Sequence, residues 1–219
     1  MIFSQAARTP IVYVAATNPS PRAVAILTPA GSKLRSVHDL AGKKVTVAKG
    51  SSAHYLLVAA TGVPYQQVTK VFLQPPNARA ALSSGDVDAW SIWDPYYAGA
   101  QAAGAQTLTD GTGLMPNRAY YSSTRDFSAH HPDALKAAVG VINEVEAWEA
   151  QHIAESTADI APQIGLPAPV LQTWFGRQKY GVNKLTPKIF AGQQKIADAF
   201  FKLGLIPNRI DVSSTAWNT

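Results

Sequence analysis

Val45-Thr-Val-Ala-Lys-Gly-Ser-Ser-Ala-His-Tyr-Leu-Leu-Val58 is the stretch on which the fold turns. Val45 to Ala48 is a short, partly β-branched run suited to a buried strand. Lys49-Gly50 breaks that run and allows a tight turn. Ser51 or Ser52 is a good N-cap, and Ala53 to Ala60 is helix-forming and apolar on one side. The stretch therefore reads as strand, glycine turn, helix. The first N–H groups of such a helix have no internal partner, and the helix dipole places partial positive charge beside them. With two hydroxyls at hand, this end suits an oxyanion such as a sulfonate, sulfate, phosphate or carboxylate. The same residues also fit an ordinary capped helix at a βα junction.

Working outward, strands are expected at Ile11–Ala15, Ala23–Leu27, Val68–Leu73, Val87–Trp93, Thr107–Thr109 and Ala119–Ser123. Between them lie short helices, one over Ser36–Gly42, one over Ala78–Leu82 capped by Asn77, and one from Asp94-Pro95 to Ala105. Thr61-Gly-Val-Pro64 reads as a helix stop and turn. This alternation predicts an α/β sheet, largely parallel. From Pro132 onward the pattern changes to helices alone, over residues 132–152, 156–164, 168–178 and 187–203.

The 219 residues suffice for one large or two small domains. With 47% hydrophobic and 15% charged residues, the chain is globular rather than disordered. The net charge of +5 comes from scattered lysines and arginines without interleaved aromatics, which argues against nucleic acid as a partner. There are no cysteines, so disulfides, thiolate metal sites and cysteine nucleophiles are excluded. The five histidines show no ligand spacing, and no cofactor or metal is expected. Ser51 and Ser52 lie outside any GxSxG or Walker pattern, so nothing specific points to an enzyme. No apolar stretch is long enough to span a bilayer, and Met1-Ile2-Phe3 does not open a signal peptide.

Two further stretches are candidate site residues. Trp93-Asp94-Pro95-Tyr96 sits where a strand ends, the place where open α/β sheets bind ligands. Trp90 and Trp93 would point to opposite faces of that strand, and both also fit the core. Asn117-Arg118 offers a fork of donors to an anion, and equally suits a solvated loop.

Together these stretches resemble one family, the periplasmic aliphatic sulfonate-binding proteins of ABC importers, relatives of the nitrate, taurine and thiamine-precursor binders. The match is carried by Ile2-Phe-Ser-Gln-Ala-Ala7, Val12-Tyr-Val-Ala-Ala16, Val37-His-Asp-Leu-Ala-Gly-Lys-Lys-Val45, Lys49-Gly-Ser-Ser-Ala-His-Tyr-Leu-Leu57, Ala78-Arg-Ala-Ala-Leu82, Val87-Asp-Ala-Trp-Ser-Ile-Trp-Asp-Pro-Tyr-Tyr97 and Leu203-Gly-Leu-Ile-Pro207. The resemblance implies a type II periplasmic-binding-protein fold, two lobes joined by hinge strands, with the first lobe incomplete because Met1 falls inside it. Residues 1–23 are then a remnant of the first lobe with a hinge strand. Residues 24–118 are the second lobe, and 119–219 return to the first. Asn77 stands where the family usually has aspartate.

By position, the resemblance places Ser51, Ser52, Ala53 and His54 at the ligand-facing helix start, and Trp93, Asp94 and Tyr96 near the cleft. Asn117 and Arg118 complete the expected ligand-binding set. The implied function is capture of an aliphatic sulfonate for sulfur acquisition and delivery to ABC permease subunits, with no reaction and no membrane span. A full-length form would be periplasmic or in the cell envelope. Open alternatives are a related anion such as taurine or nitrate, a thiamine-pyrimidine-precursor binding or synthesis protein, and a nonfunctional truncated remnant.

Overall fold

Residues 1–60 and 65–217 are described by a computed structural model; the turn expected at Thr61–Pro64 lies outside them. In chain order the strands are β1 (Ile11–Thr17), β2 (Val24–Thr28), β3 (Lys44–Val47), β4 (Thr69–Phe72), β5 (Ala89–Trp93), β6 (Gln106–Asp110), β7 (Tyr120–Thr124) and β8 (Val182–Asn183). The helices are α1 (Ile2–Ala6), α2 (Ser52–Ala60), α3 (Pro75–Ser84), α4 (Tyr96–Ala102), α5 (Arg125–His130), α6 (Pro132–Glu149), α7 (Ile153–Ile164), α8 (Ala168–Phe175) and α9 (Pro187–Lys202). They divide into two compact units. The first holds Met1–Pro19, Arg118–His152 and Lys179–Thr219; the second holds Ser20–Asn117 and Ile153–Gln178.

The second unit is built on a five-stranded sheet in the order β4-β3-β5-β2-β6. β3 pairs parallel with both β4 and β5, while β2 pairs antiparallel with both β5 and β6. Four strands therefore share one direction and β2 alone opposes them, so the sheet is mixed in its pairing rather than simply parallel. The cause is local. β3 reaches β4 through α2, and β4 reaches β5 through α3, the crossovers that a parallel neighbour requires. β2 arrives without such a crossover, through the Pro19–Pro21 bend, and is wedged between two strands of the parallel set.

Alternation along β2 explains why its sequence is unbroken apolar. Val24 and Ile26 enter a core cluster with Val45, Val47, Leu56 and Leu57, whereas Ala25 and Leu27 enter another with Leu82, Trp90, Ile92 and Tyr97. A sheet covered on both faces has no polar side to alternate with. Helix α3 starts at Pro75 with Gln74 as its N-cap, so Asn77 lies inside the helix instead of capping it. Proline at the first helical position is preorganised for that start.

Helices α7 and α8 belong to this second unit, whereas the resemblance implies that all of 119–219 returns to the first lobe. α8 packs on α4, where Gly99 faces the Val170 methyl with no Cβ between them. Arg177, just after α8, reaches a buried carboxylate at the start of α4.

In the first unit, β1 is the centre of an antiparallel sheet in the order β7-β1-β8. Ala16 pairs with Tyr120, so β1 and β7 lie side by side. Val12, Val14 and Ala15 of β1 pack against Leu135 and Val139 of α6. Tyr13 is fully buried, edge-on to Tyr120 and Phe190, and the Gln193 side-chain amide donates to its hydroxyl at 3.2 Å. Burial pushes the Tyr13 hydroxyl up to about 12. Helix α5 and strand β8 have no counterpart in the sequence reading. Helix α5 is announced only by Thr124, whose hydroxyl accepts the Phe127 N–H at 3.1 Å.

Candidate functional site

At the end of β3, Gly50 turns the backbone with φ of 78°, the left-handed region that glycine enters without steric cost. Ser51 then caps α2. Its hydroxyl accepts the His54 N–H at 3.1 Å and donates to the Ala48 carbonyl at 2.7 Å. Among the described residues, no acceptor takes the N–H groups of Ser52 or Ala53. Ser52 is half-buried, and Ala53 is fully buried with its carbonyl accepting the Ser91 hydroxyl at 2.7 Å. That bond ties the first turn of α2 to β5.

His54 sits behind this turn. Its side chain is buried, and both ring nitrogens are engaged: the Gly50 N–H donates to Nδ1 at 3.1 Å, and Nε2 lies 2.5 Å from the Tyr65 hydroxyl. Phe72 meets the ring edge-on. Burial, then the charges of Lys49 and Lys70, lower its pKa to about 4, so the imidazole is neutral at pH 7. Those two cations also make the turn a region of positive potential.

β5 runs parallel to β3 with Val47 beside Ser91, so the turn after β5 lies next to the turn after β3. Both are at the carboxyl ends of their strands, where α/β sheets place ligands. Trp93 is half-buried, whereas Trp90 is fully in the core. Tyr96 is 40% exposed and stands edge-on to Trp93, with ring centres 6.2 Å apart.

Asp94 turns the other way, into the protein. Its Oδ1 accepts from Arg177 Nη1 at 2.9 Å and from the Ala98 N–H at 2.9 Å, and its Oδ2 lies 3.1 Å from the same Nη1. Arg177 stacks on the Tyr97 ring at 3.7 Å and also bonds the Gln101 side chain. Burial pushes the Asp94 carboxyl up and the Arg177 charge pulls it back down.

Asn117 belongs to the second unit. It holds a left-handed backbone with φ of 43°, and its side chain donates to the Ser20 carbonyl at 2.8 Å. Arg118 belongs to the first unit and donates to the Thr17 carbonyl at 2.5 Å. The structure thus groups Ser51, Ser52, Ala53 and His54 with Trp93, Asp94 and Tyr96 along one sheet edge. Within each of their own units, Asn117 and Arg118 tie backbone at the crossings. Sequence reasoning missed Tyr65 and Arg177, the partners of His54 and Asp94. Arg177 is 83 positions from Asp94, and Tyr65 is 11 from His54 and beyond the helix, so neither pairing follows from a helical or strand period. Among the described residues, no group of three histidine or acidic side chains could hold a metal, and no helix is long and apolar enough to cross a membrane.

Comparison with known proteins is consistent along the whole chain. The family model described as "NMT1/THI5 like" matches residues 1–155. A protein of Escherichia coli strain K12 named as aliphatic sulfonates-binding is 35% identical over 221 residues, covering 99% of this chain and 69% of its own length. Its counterpart in Bacillus subtilis strain 168 is 32% identical, covering 100% and 68%. The solved alkanesulfonate-binding protein SsuA of Xanthomonas axonopodis pv. citri, bound to MOPS, superposes with a TM-score of 0.94 at 34% identity, covering 100% of this chain and 77% of that one. All three are described as binding proteins. This chain belongs to the NMT1/THI5-like family, in the company of the aliphatic sulfonate-binding proteins.

Proposed function

We propose that this protein captures an aliphatic sulfonate and delivers it to the permease of an ABC importer, working in the periplasm or cell envelope. The observation that carries this reading is the start of α2. Ser52 presents an N–H and a hydroxyl, neither engaged by an acceptor among the described residues, at a helix end whose dipole favours an anion. The buried Ala53 N–H and the cations of Lys49 and Lys70 add to the same field. Three sulfonate oxygens match a cluster of short-range donors better than a single fixed fork would. The neighbouring rings of Trp93 and Tyr96 offer an apolar surface for the carbon tail. Asp94 takes part indirectly, as the interior anchor of that aromatic turn, and His54 likewise stands behind the donors. The Asn117 and Arg118 side chains hold the Ser20 and Thr17 carbonyls, and in this reading their remaining N–H groups are further donors to the anion.

Calorimetric titration tests the reading. Ethanesulfonate and longer alkanesulfonates are expected to bind, with taurine and nitrate weaker and acetate weakest. Absence of any sulfonate heat, or equal affinity for acetate, would sink it.

A further inference from the structure

The Gly50 amide can only donate a hydrogen bond, so the Nδ1 atom facing it at 3.1 Å presents a lone pair. The ring proton is then on Nε2, directed at the Tyr65 hydroxyl. His54 is the third residue of α2, and its own N–H is taken by the Ser51 hydroxyl. The arrangement is a reciprocal cap: the residue before the helix serves the third residue's backbone, and the third residue's side chain serves the backbone before the helix. In the related capping box the third residue is glutamate or glutamine and takes the amide of the capping residue itself; here the acceptor reaches one residue further back, to Gly50, while the Ser51 amide bonds the Ala48 carbonyl. Glutamate here would set a negative charge beside the donors of Ser52. A neutral imidazole supplies the same acceptor without that charge.

We propose that His54 is a positioning residue for the anion turn: as the Nε2-protonated neutral ring it holds the Gly50 amide and so aims the Ser52 N–H and hydroxyl outward. The part of this that concerns sulfonate rests on the function proposed above; the brace itself does not. The groups facing the ring are consistent with it. Lys49 and Lys70 are the charges acting on it and oppose a second proton, while Tyr65 and Phe72 form its walls. Lys49 and Lys70 are themselves drawn toward the Phe72 and Tyr65 rings.

The test uses the wild type, His54→Asn and His54→Leu. Asparagine places a carbonyl oxygen where Nδ1 was; leucine fills the space with no acceptor. Amide hydrogen exchange at Gly50, measured without ligand, should be slow in the wild type and in H54N. In H54L it should speed up by about tenfold, as for one lost hydrogen bond. Ethanesulfonate affinity should follow the same order, within about threefold of wild type for H54N and down about tenfold for H54L. In the wild type, affinity should fall as the pH drops toward 4, because protonation removes the lone pair while the sulfonate stays ionised. An imidazolium that touched the ligand would give the opposite slope.

Nitrogen-15 shifts of the imidazole read the tautomer even if a variant fails to fold. A proton on Nδ1, equal Gly50 exchange in all three proteins, or affinity that rises on acidification would overturn the proposal. If ethanesulfonate gives no heat while Gly50 exchange follows the expected order, the brace stands and the sulfonate reading fails.

Discussion

The turns after β3 and β5 are neighbours on one sheet edge, and each hides a polar side chain behind its exposed ones. Behind Ser52 lies His54, neutral, with one acceptor and one donor matched to Gly50 and Tyr65. Behind Trp93 and Tyr96 lies Asp94, matched to the Arg177 guanidinium and the Ala98 N–H. The two differ in charge. Near the anion donors the fold uses an uncharged brace; beneath the aromatic pair it uses an ion pair whose charge is cancelled from the far side. In both, a buried polar side chain stands behind the half-buried or exposed residues of its turn.

The difference should be largest in stability. Asp94 and Arg177 expose only 1% and 10% of their side chains, so removing one strands the other's charge. Arg177→Ala should cost about 3–5 kcal/mol at pH 7 by urea denaturation. Without the guanidinium, the folded-state pKa of Asp94 climbs further above its unfolded value. The penalty is then full above that folded pKa and shrinks as the pH falls through it. A penalty independent of pH would show that lost packing on Tyr97 dominates instead.

Ser52→Ala should weaken alkanesulfonate binding by about 1.5 kcal/mol, roughly tenfold in Kd, with unchanged stability, since the hydroxyl serves a charged ligand rather than the fold. Unchanged affinity would move the anion elsewhere. Tyr65→Phe should destabilise by about 1 kcal/mol in the same denaturation assay, because it takes the acceptor from a buried Nε2–H. This is well below the Arg177 effect, as a neutral brace requires. Tyr96→Ala should leave stability alone and lower affinity for a long-chain sulfonate by about 0.5 kcal/mol more than for ethanesulfonate. Equal losses for both would remove Tyr96 from the tail surface.

Much of this was legible from local pattern. Val45 to Val58 announces strand, glycine turn and helix because each step has a residue type that does one thing: β-branched runs, a left-handed glycine, a capping serine. The antiparallel insertion of β2 was not legible, since an apolar run buried on both faces carries no sign of its direction. Nor was the membership of α7 and α8 in the second unit. What commits them is Gly99 against Val170 and Arg177 against Asp94, contacts between residues far apart in sequence. At the site, Ser51 and Ser52 looked equivalent. Only the geometry separates the one that caps from the one that is left facing outward.

The chain passes between its two units at residues 19–20, 117–118, 152–153 and 178–179, and this interleaving bears on the order of assembly during synthesis. The sheet of the second unit is complete in sequence by Asp110, yet Asp94 waits for Arg177 before its charge is met. The first unit waits longer: Gln5 donates to the Asp211 carbonyl across 206 positions, and Tyr13 receives the Trp217 N–H. Closing such long loops slows folding. On the ribosome, the sheet edge that carries the serine turn can therefore form early, while β1, although it precedes that sheet in the chain, lacks its partners in β8 and at Trp217 until they emerge.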